Sequence, residues 1–225
     1  KSNKNLERIN LIFQLVKSKV KWNGNYGKYT DVGVKKAYKE GVGNVAEINL
    51  MLVSMLREGG LNANPVLVST RNHGISLFPT SKGFNYVIAS VELNEKIILL
   101  DATEEYAIPN VLPSWAINWQ GRIVREDRSS DWVSLTPFKP IVENTIMSII
   151  IDKEGYIEGQ KRTSYTGSNS LNYRNSYSKL KDETIIEKIE EKKETLYKLN
   201  NAIQIRNNHI INSTRRNIRR TLLFQ

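Results

Sequence analysis

Leu6, Ile9, Phe13, Val16 and Val20 recur at steps of three and four. That spacing predicts one apolar helical face. Trp22-Asn23-Gly24-Asn25-Tyr26-Gly27 is a turn-rich break, and a short helical piece around Val34–Lys39 ends at Gly41. Asn44 then stands three residues before Glu47, the spacing of a capping box. It opens a strongly apolar helix over Val45–Glu58, which Gly59-Gly60 stops. So few of its positions are polar that this helix is expected to be central and buried.

Beyond it the period changes from helical to strand-like. Pro65–Thr70 reads as a short buried strand and Arg71–Gly83 as a polar loop. Phe84–Glu92 and Lys96–Thr103 read as a hairpin turning at Asn94-Glu95. If Leu93 and Lys96 flank the turn, Ile88 pairs with Asp101 and Tyr86 with Thr103. That register places Tyr86 and Asp101 diagonally on one sheet face. Leu112–Val124 has no clear period. A second hairpin is expected from Thr145–Asp152 and Tyr156–Tyr165, turning at Lys153-Glu154-Gly155. Gly167–Ser178, rich in Ser, Asn and Tyr, reads as a loop, and Asp182–Leu199 as an amphipathic helix. Pro137–Pro140 marks a boundary. The expected architecture is α+β: a core over residues 1–135, then a partial β-rich region over 140–225 with one amphipathic helix.

Composition narrows the chemistry. The 225 residues contain 0 cysteines and 2 histidines. Disulfides, thiolate nucleophiles and cysteine metal sites are excluded, and histidine general-base chemistry has almost no material. The net charge of +10 sits at the ends: residues 1–50 hold 10 Lys+Arg against 4 Asp+Glu, and residues 201–225 hold 5 against 0. The middle is near neutral. A nucleic-acid groove needs cations spread over one folded face with aromatics between them, so no nucleic-acid partner is expected. No apolar run reaches the ~18 residues of a membrane span, and no signal peptide is visible. The first residue is Lys, not Met, which suggests an excised or processed fragment.

Three segments carry a resemblance. Gly41-Val42-Gly43-Asn44-Val45-Ala46-Glu47 opens the buried helix, Phe84-Asn85-Tyr86-Val87-Ile88 opens the first hairpin strand, and Leu99-Leu100-Asp101-Ala102-Thr103 closes the second. In this order they resemble the bacterial transglutaminase-like superfamily, a branch of the papain-like fold. The flanking Leu56-Arg57-Glu58-Gly59-Gly60-Leu61 and Pro65-Val66-Leu67-Val68-Ser69-Thr70 agree with it. The resemblance covers about residues 1–135 and implies a buried helix on an antiparallel sheet. It also implies a catalytic cysteine at the helix start, a histidine at a strand start and an aspartate on the next strand. In this chain those positions hold Val45, Tyr86 and Asp101. Only the aspartate survives, so none is expected to be active.

The resemblance therefore implies an inactive module acting as a binding or scaffold domain. A protein, peptide or glycan would occupy a relict cleft lined by Trp22, Asn85, Tyr86, Trp115 and Trp119. It also suggests that the rest of a longer multidomain chain is a partner, and a bacterial envelope or periplasmic location. The alternative is a hydrolase or acyltransferase of the same fold with a non-cysteine mechanism. His73 is a candidate replacement base, and Ser69 and Thr70 are candidate nucleophiles. The plainer readings are an exposed loop histidine and a strand end with no base spaced for it. Tyr26 is a further candidate for that groove, and it and the tryptophans read equally as amphipathic aromatics at loop–core borders. His209 has no partner motif, and Arg215, Arg216, Arg219 and Arg220 read as a solvated tail. No cofactor and no metal is expected. A thiol alkylator should leave any amide hydrolysis or transamidation by this chain unchanged. Activity abolished by alkylation would contradict the composition.

Overall fold

The computed structural model describes residues 2–151, 153, 156–191, 201–204, 211–212 and 220–221. The chain divides into two units, Lys1–Phe138 and Lys139–Gln225.

In the first unit α1 spans Ser2–Lys19 and buries Ile9, Phe13 and Val16, while Leu6 is partly exposed. A two-residue strand β1 (Lys21–Trp22) pairs in parallel with β2 (Val42–Gly43) across the helix α2 (Val34–Glu40). Gly41 closes α2 at φ 71°, a conformation that costs other residues strain. Gly43 has a steric reason as well. A Cβ there would stand 3.1 Å from the Ala37 and Glu47 side chains.

α3 follows over Val45–Glu58 and supplies both halves of the core. Val45 and Ala46 pack with Tyr86, Val87 and Ile88. Ile48, Met51, Leu52, Val53 and Leu56 pack with Ile9, Phe13 and Val16 of α1. Truncating one such side chain to alanine costs roughly 2–5 kcal/mol. The helix lies against an antiparallel sheet in the order β5-β4-β3-β6-β7. Its strands are β3 (Ala63–Val68), β4 (Tyr86–Leu93), β5 (Lys96–Leu100), β6 (Gln120–Val124) and β7 (Ser130–Ser134). The last of these carried no sequence expectation. β4 and β5 pair Leu93 with Lys96 and Ala89 with Leu100, the expected register. Asn94 and Glu95 both take positive φ, 48° and 61°, as a two-residue hairpin turn requires. β5 ends at Leu100, three residues short of the expected Thr103, because the chain leaves the ladder as Asp101 turns into the interior.

The second unit contains the hairpin of β8 (Glu143–Ile151) and β9 (Tyr156–Tyr165). Of its expected turn, only Lys153 lies within the described residues. The Gly167–Ser178 expectation is corrected: Gly167–Tyr177 is a helix, α4. Leu171 and Tyr177 are buried, and Tyr173 stacks on Tyr165 and Tyr177 with ring centroids 5.3 and 4.7 Å apart. Aromatic packing thus overrides the weak helix propensity of Ser and Asn. Burial pushes the Tyr173 phenol up to about 12. α5 covers Asp182–Glu191, and the rest of the expected Asp182–Leu199 helix lies outside the described residues. Short segments β10 (Asn201–Gln204), β11 (Ile211–Asn212) and β12 (Arg220–Thr221) complete the second sheet, with β10 and β12 paired to β9. The fold is α+β.

The start of α3 is held by one carboxylate. Asn44 caps the helix by accepting from the Glu47 N–H, and Glu47 Oε2 accepts from the Asn44 N–H at 2.7 Å. Glu47 Oε1 also accepts from the backbone N–H groups of Asp31, Val32 and Gly33 at 2.6–3.0 Å. Burial pushes the Glu47 carboxyl up, but these four bonds outweigh it and hold its pKa below the ordinary value. Its ionised form therefore favours the fold. That contribution is complete above the unfolded carboxylate pKa of ~4.3 and is lost as pH falls through the lower folded value. Glu47→Gln should cost about 2–3 kcal/mol at neutral pH and much less at ~pH 2. Chemical denaturation of both proteins across that range measures it, and a pH-independent difference would contradict the assignment.

Candidate functional site

The hairpin register carries Tyr86, the first residue of β4, to Asp101, just beyond β5. The phenol hydroxyl donates to Asp101 Oδ2 at 2.8 Å and lies 3.2 Å from Thr103 Oγ1. Both Tyr86 and Asp101 are buried, as is Val45. The other carboxylate oxygen, Oδ1, accepts from Asn49 Nδ2 at 3.1 Å, the Thr103 N–H at 3.1 Å and Thr103 Oγ1 at 2.7 Å. Asn49 is one turn along α3 from Val45. Its amide group also donates to Val87 O and accepts from the Ala102 N–H.

Four donors thus surround the Asp101 carboxylate, three on Oδ1 and one on Oδ2. Burial pushes its pKa up, and the bonds from Asn49, Thr103 and Tyr86 pull it back without cancelling the rise. The Tyr86 phenol is driven well above its ordinary value, first by burial and then by the Asp101 charge. Tyr86 therefore keeps its proton through the neutral range, and its hydroxyl occupies the carboxylate oxygen that Asn49 and Thr103 leave open.

The approach to this pair is packed with aromatics. Tyr26 stands 5.6 Å from Tyr86, 5.3 Å from Trp22 and 6.2 Å from Trp115, between ring centroids. Trp22 and Trp115 stack at 6.1 Å. The Trp22 indole donates to Asn25 O at 3.0 Å. The Trp115 indole N–H is buried and has no hydrogen-bond partner among the described residues. The helix start is filled as well: the Val45 N–H donates to Asn25 O, and the Glu47 N–H to Asn44.

Of the residues expected to line a cleft, Trp22, Tyr86 and Trp115 come together. Asn85 turns to Thr70, accepting from its N–H and donating to its hydroxyl, both at 2.9 Å. Trp119 stands outside the aromatic cluster at positive φ (57°) and is about half exposed. His73 is exposed, with Nε2 2.9 Å from Lys82 O. Ser69 and Thr70 are buried, and the Ser69 hydroxyl donates to Gly74 O. His209, Arg215, Arg216 and Arg219 lie outside the described residues. Among the described residues, no group of three or more His, Asp or Glu is placed to hold a metal ion. Sequence reasoning missed Asn49, and it gave Tyr26 as lining an open groove where the ring packs against Tyr86. Asn49 carried a signal, as a polar residue one turn from Val45 on a mostly apolar helix.

The loop that brings Trp115 here, residues 101–119, is built by side chains reaching backbone groups. Lys17 Nζ donates to Ala107 O at 2.7 Å, and the Leu99 N–H donates to Asn110 Oδ1. Arg71 Nε donates to Ile117 O, and Asn118 Nδ2 to Ser69 O. Burial lowers the Lys17 ammonium to about 8, with Glu105 opposing the fall.

No family model and no curated protein matches the chain. A solved structure from Parabacteroides distasonis, described as a "putative protease", is 15% identical with a TM-score of 0.43. The match covers 60% of this chain and 25% of that one, so the chain corresponds to about a quarter of that protein's length.

Tyr86→Phe should lower stability by about 1 kcal/mol at neutral pH, because ionised Asp101 loses a donor. Asp101 has a raised folded pKa, so its ionisation opposes folding. Stability falls as pH climbs from the unfolded value of ~3.9 to the folded one. In the variant that fall should be larger, and the two proteins should converge toward ~pH 3. Denaturation midpoints across the range decide it. Identical midpoints would mean that the phenol is solvated.

Proposed function

We propose that residues 1–135 are a catalytically inactive transglutaminase-like module that serves as a binding or scaffold domain in a longer bacterial envelope protein. The sequence motifs support the family reading. The observation that carries the inactive reading is the four-donor shell around Asp101. The family's reaction needs that carboxylate to hold an imidazole in one tautomer, so that the imidazole can take a proton from a thiol. Here the carboxylate holds a phenol, and the thiol position is a valine. Tyr26 and Trp115 cover the pair, so a protein, peptide or glycan would meet the outer faces of these aromatics rather than Asp101 itself.

The test is turnover. The chain should show no hydrolysis of activated esters or amides, and no amine transfer, above a heat-denatured blank. Turnover that Asp101→Asn abolishes would establish the non-cysteine enzyme instead. Restoring both lost groups, Val45→Cys with Tyr86→His, should give a thiol that reagents reach slowly until Tyr26→Ala opens the cover. Fast alkylation with Tyr26 in place would mean that the cleft is open, and would withdraw the covered-site reading.

A further inference from the structure

We propose that the loop between β3 and β4 docks the first unit onto the surface of an anionic lipid bilayer. The proposal does not depend on the inactive-module reading.

Ile75, Leu77 and Phe78 are 59%, 65% and 71% exposed, three large apolar side chains within four residues. They are presented by a braced loop. Ser76 Oγ donates to Phe78 O, the Thr80 N–H to Phe78 O and the Gly83 N–H to Thr80 O. Gly74 O accepts from Ser69 Oγ and from Asn118 Nδ2. Lys28 Nζ reaches across from the 23–33 loop to Ser81 O and Phe84 O. The apolar tip is thus set before any partner arrives, and little ordering entropy opposes docking.

The charged side chains of this stretch have one sign. No acidic residue occurs between Glu58 and Glu92, and this stretch holds Arg71 and Lys82. Lys28 adds a further cation. None of Lys28, Arg71 and Lys82 forms an ion pair among the described residues. The carbonyl contacts of Lys28 and Arg71 leave their positive charges uncompensated.

Size separates a bilayer from a protein partner. Three side chains expose a few hundred Å², below the ~800 Å² per partner of a stable protein interface. A bilayer needs no matching shape. A few apolar side chains entering the headgroup region, with cations at the phosphates, suffice for reversible binding.

The chain holds no cysteine, so Thr80→Cys gives one labelling position beside the tip and Lys36→Cys one on α2. Each carries an environment-sensitive fluorophore and is mixed with phosphatidylcholine vesicles, alone or with ~30% phosphatidylglycerol. The label at 80 should shift to the blue only with anionic vesicles, and the label at 36 should not shift. Leu77→Ser/Phe78→Ser should lower partitioning about 30-fold or more. Lys82→Gln, which removes no side-chain hydrogen bond, should lower it about fivefold, and ~1 M salt should weaken it strongly. Melting curves establish that each variant is folded. Absence of binding to either vesicle would overturn the proposal and leave the tip to a protein partner. Binding that survives the double serine variant, or equal shifts at both labels, would overturn it too.

Discussion

The first turns of α3, from Val45 to Asn49, have no access to water, so every polar group there must be met by protein. This constraint organises the surrounding chain. Glu47 meets it on one side by gathering four backbone N–H groups, three from the loop before α2 and one from its own cap. Asn49 meets it on the other by joining α3 to β4, to Ala102 and to Asp101. The two side chains are two residues apart and face different elements. Between them they fix where the helix begins and how it is rotated on the sheet.

The two carboxylates at this helix end are opposite electrostatic cases. Glu47 is met by a backbone cage in which the ionised form is the better bound, so burial loses. Asp101 is met by side chains and a single backbone N–H, and burial wins. The ionisable partner of Asp101, the Tyr86 phenol, is driven out of the neutral range. The arrangement is a hydrogen-bonded pair that exchanges no proton near neutral pH. What remains is a polar core network whose groups are nearly all satisfied, the Trp115 indole being the exception.

Much of this was legible in the residues. The capping box, the Val45–Glu58 boundaries and the hairpin register all follow from local rules, in which neighbours a few positions apart decide the geometry. The register alone was enough to bring Tyr86 to Asp101. What was not legible depends on distant partners. The 101–119 loop has no period because its conformation is dictated by Lys17, Arg71, Asn110 and Asn118, up to 90 residues away from the carbonyls and amides they meet. The helix Gly167–Tyr177 was hidden for a related reason. Its stability comes from Tyr165, outside the helix, and not from the Ser and Asn residues that fill it. Asn85 was misleading in another way: it lies beside Tyr86 in the chain, but alternation along the strand turns it to Thr70.

The Asn49 amide has a consequence for how the molecule comes apart. It bonds two acceptors and one donor that lie on the β4–β5 hairpin and the two residues after it. The hairpin cannot peel from the helix without exposing three broken hydrogen bonds and a buried carboxylate together. Partial openings that separate these two pieces are therefore high in free energy, and the helix and hairpin behave as one cooperative unit. The Ala102 amide proton, held by Asn49 in the interior, is guarded by that whole unit. Its exchange with solvent would follow the opening of the helix and the hairpin as a pair, not the fraying of the loop on which Ala102 stands.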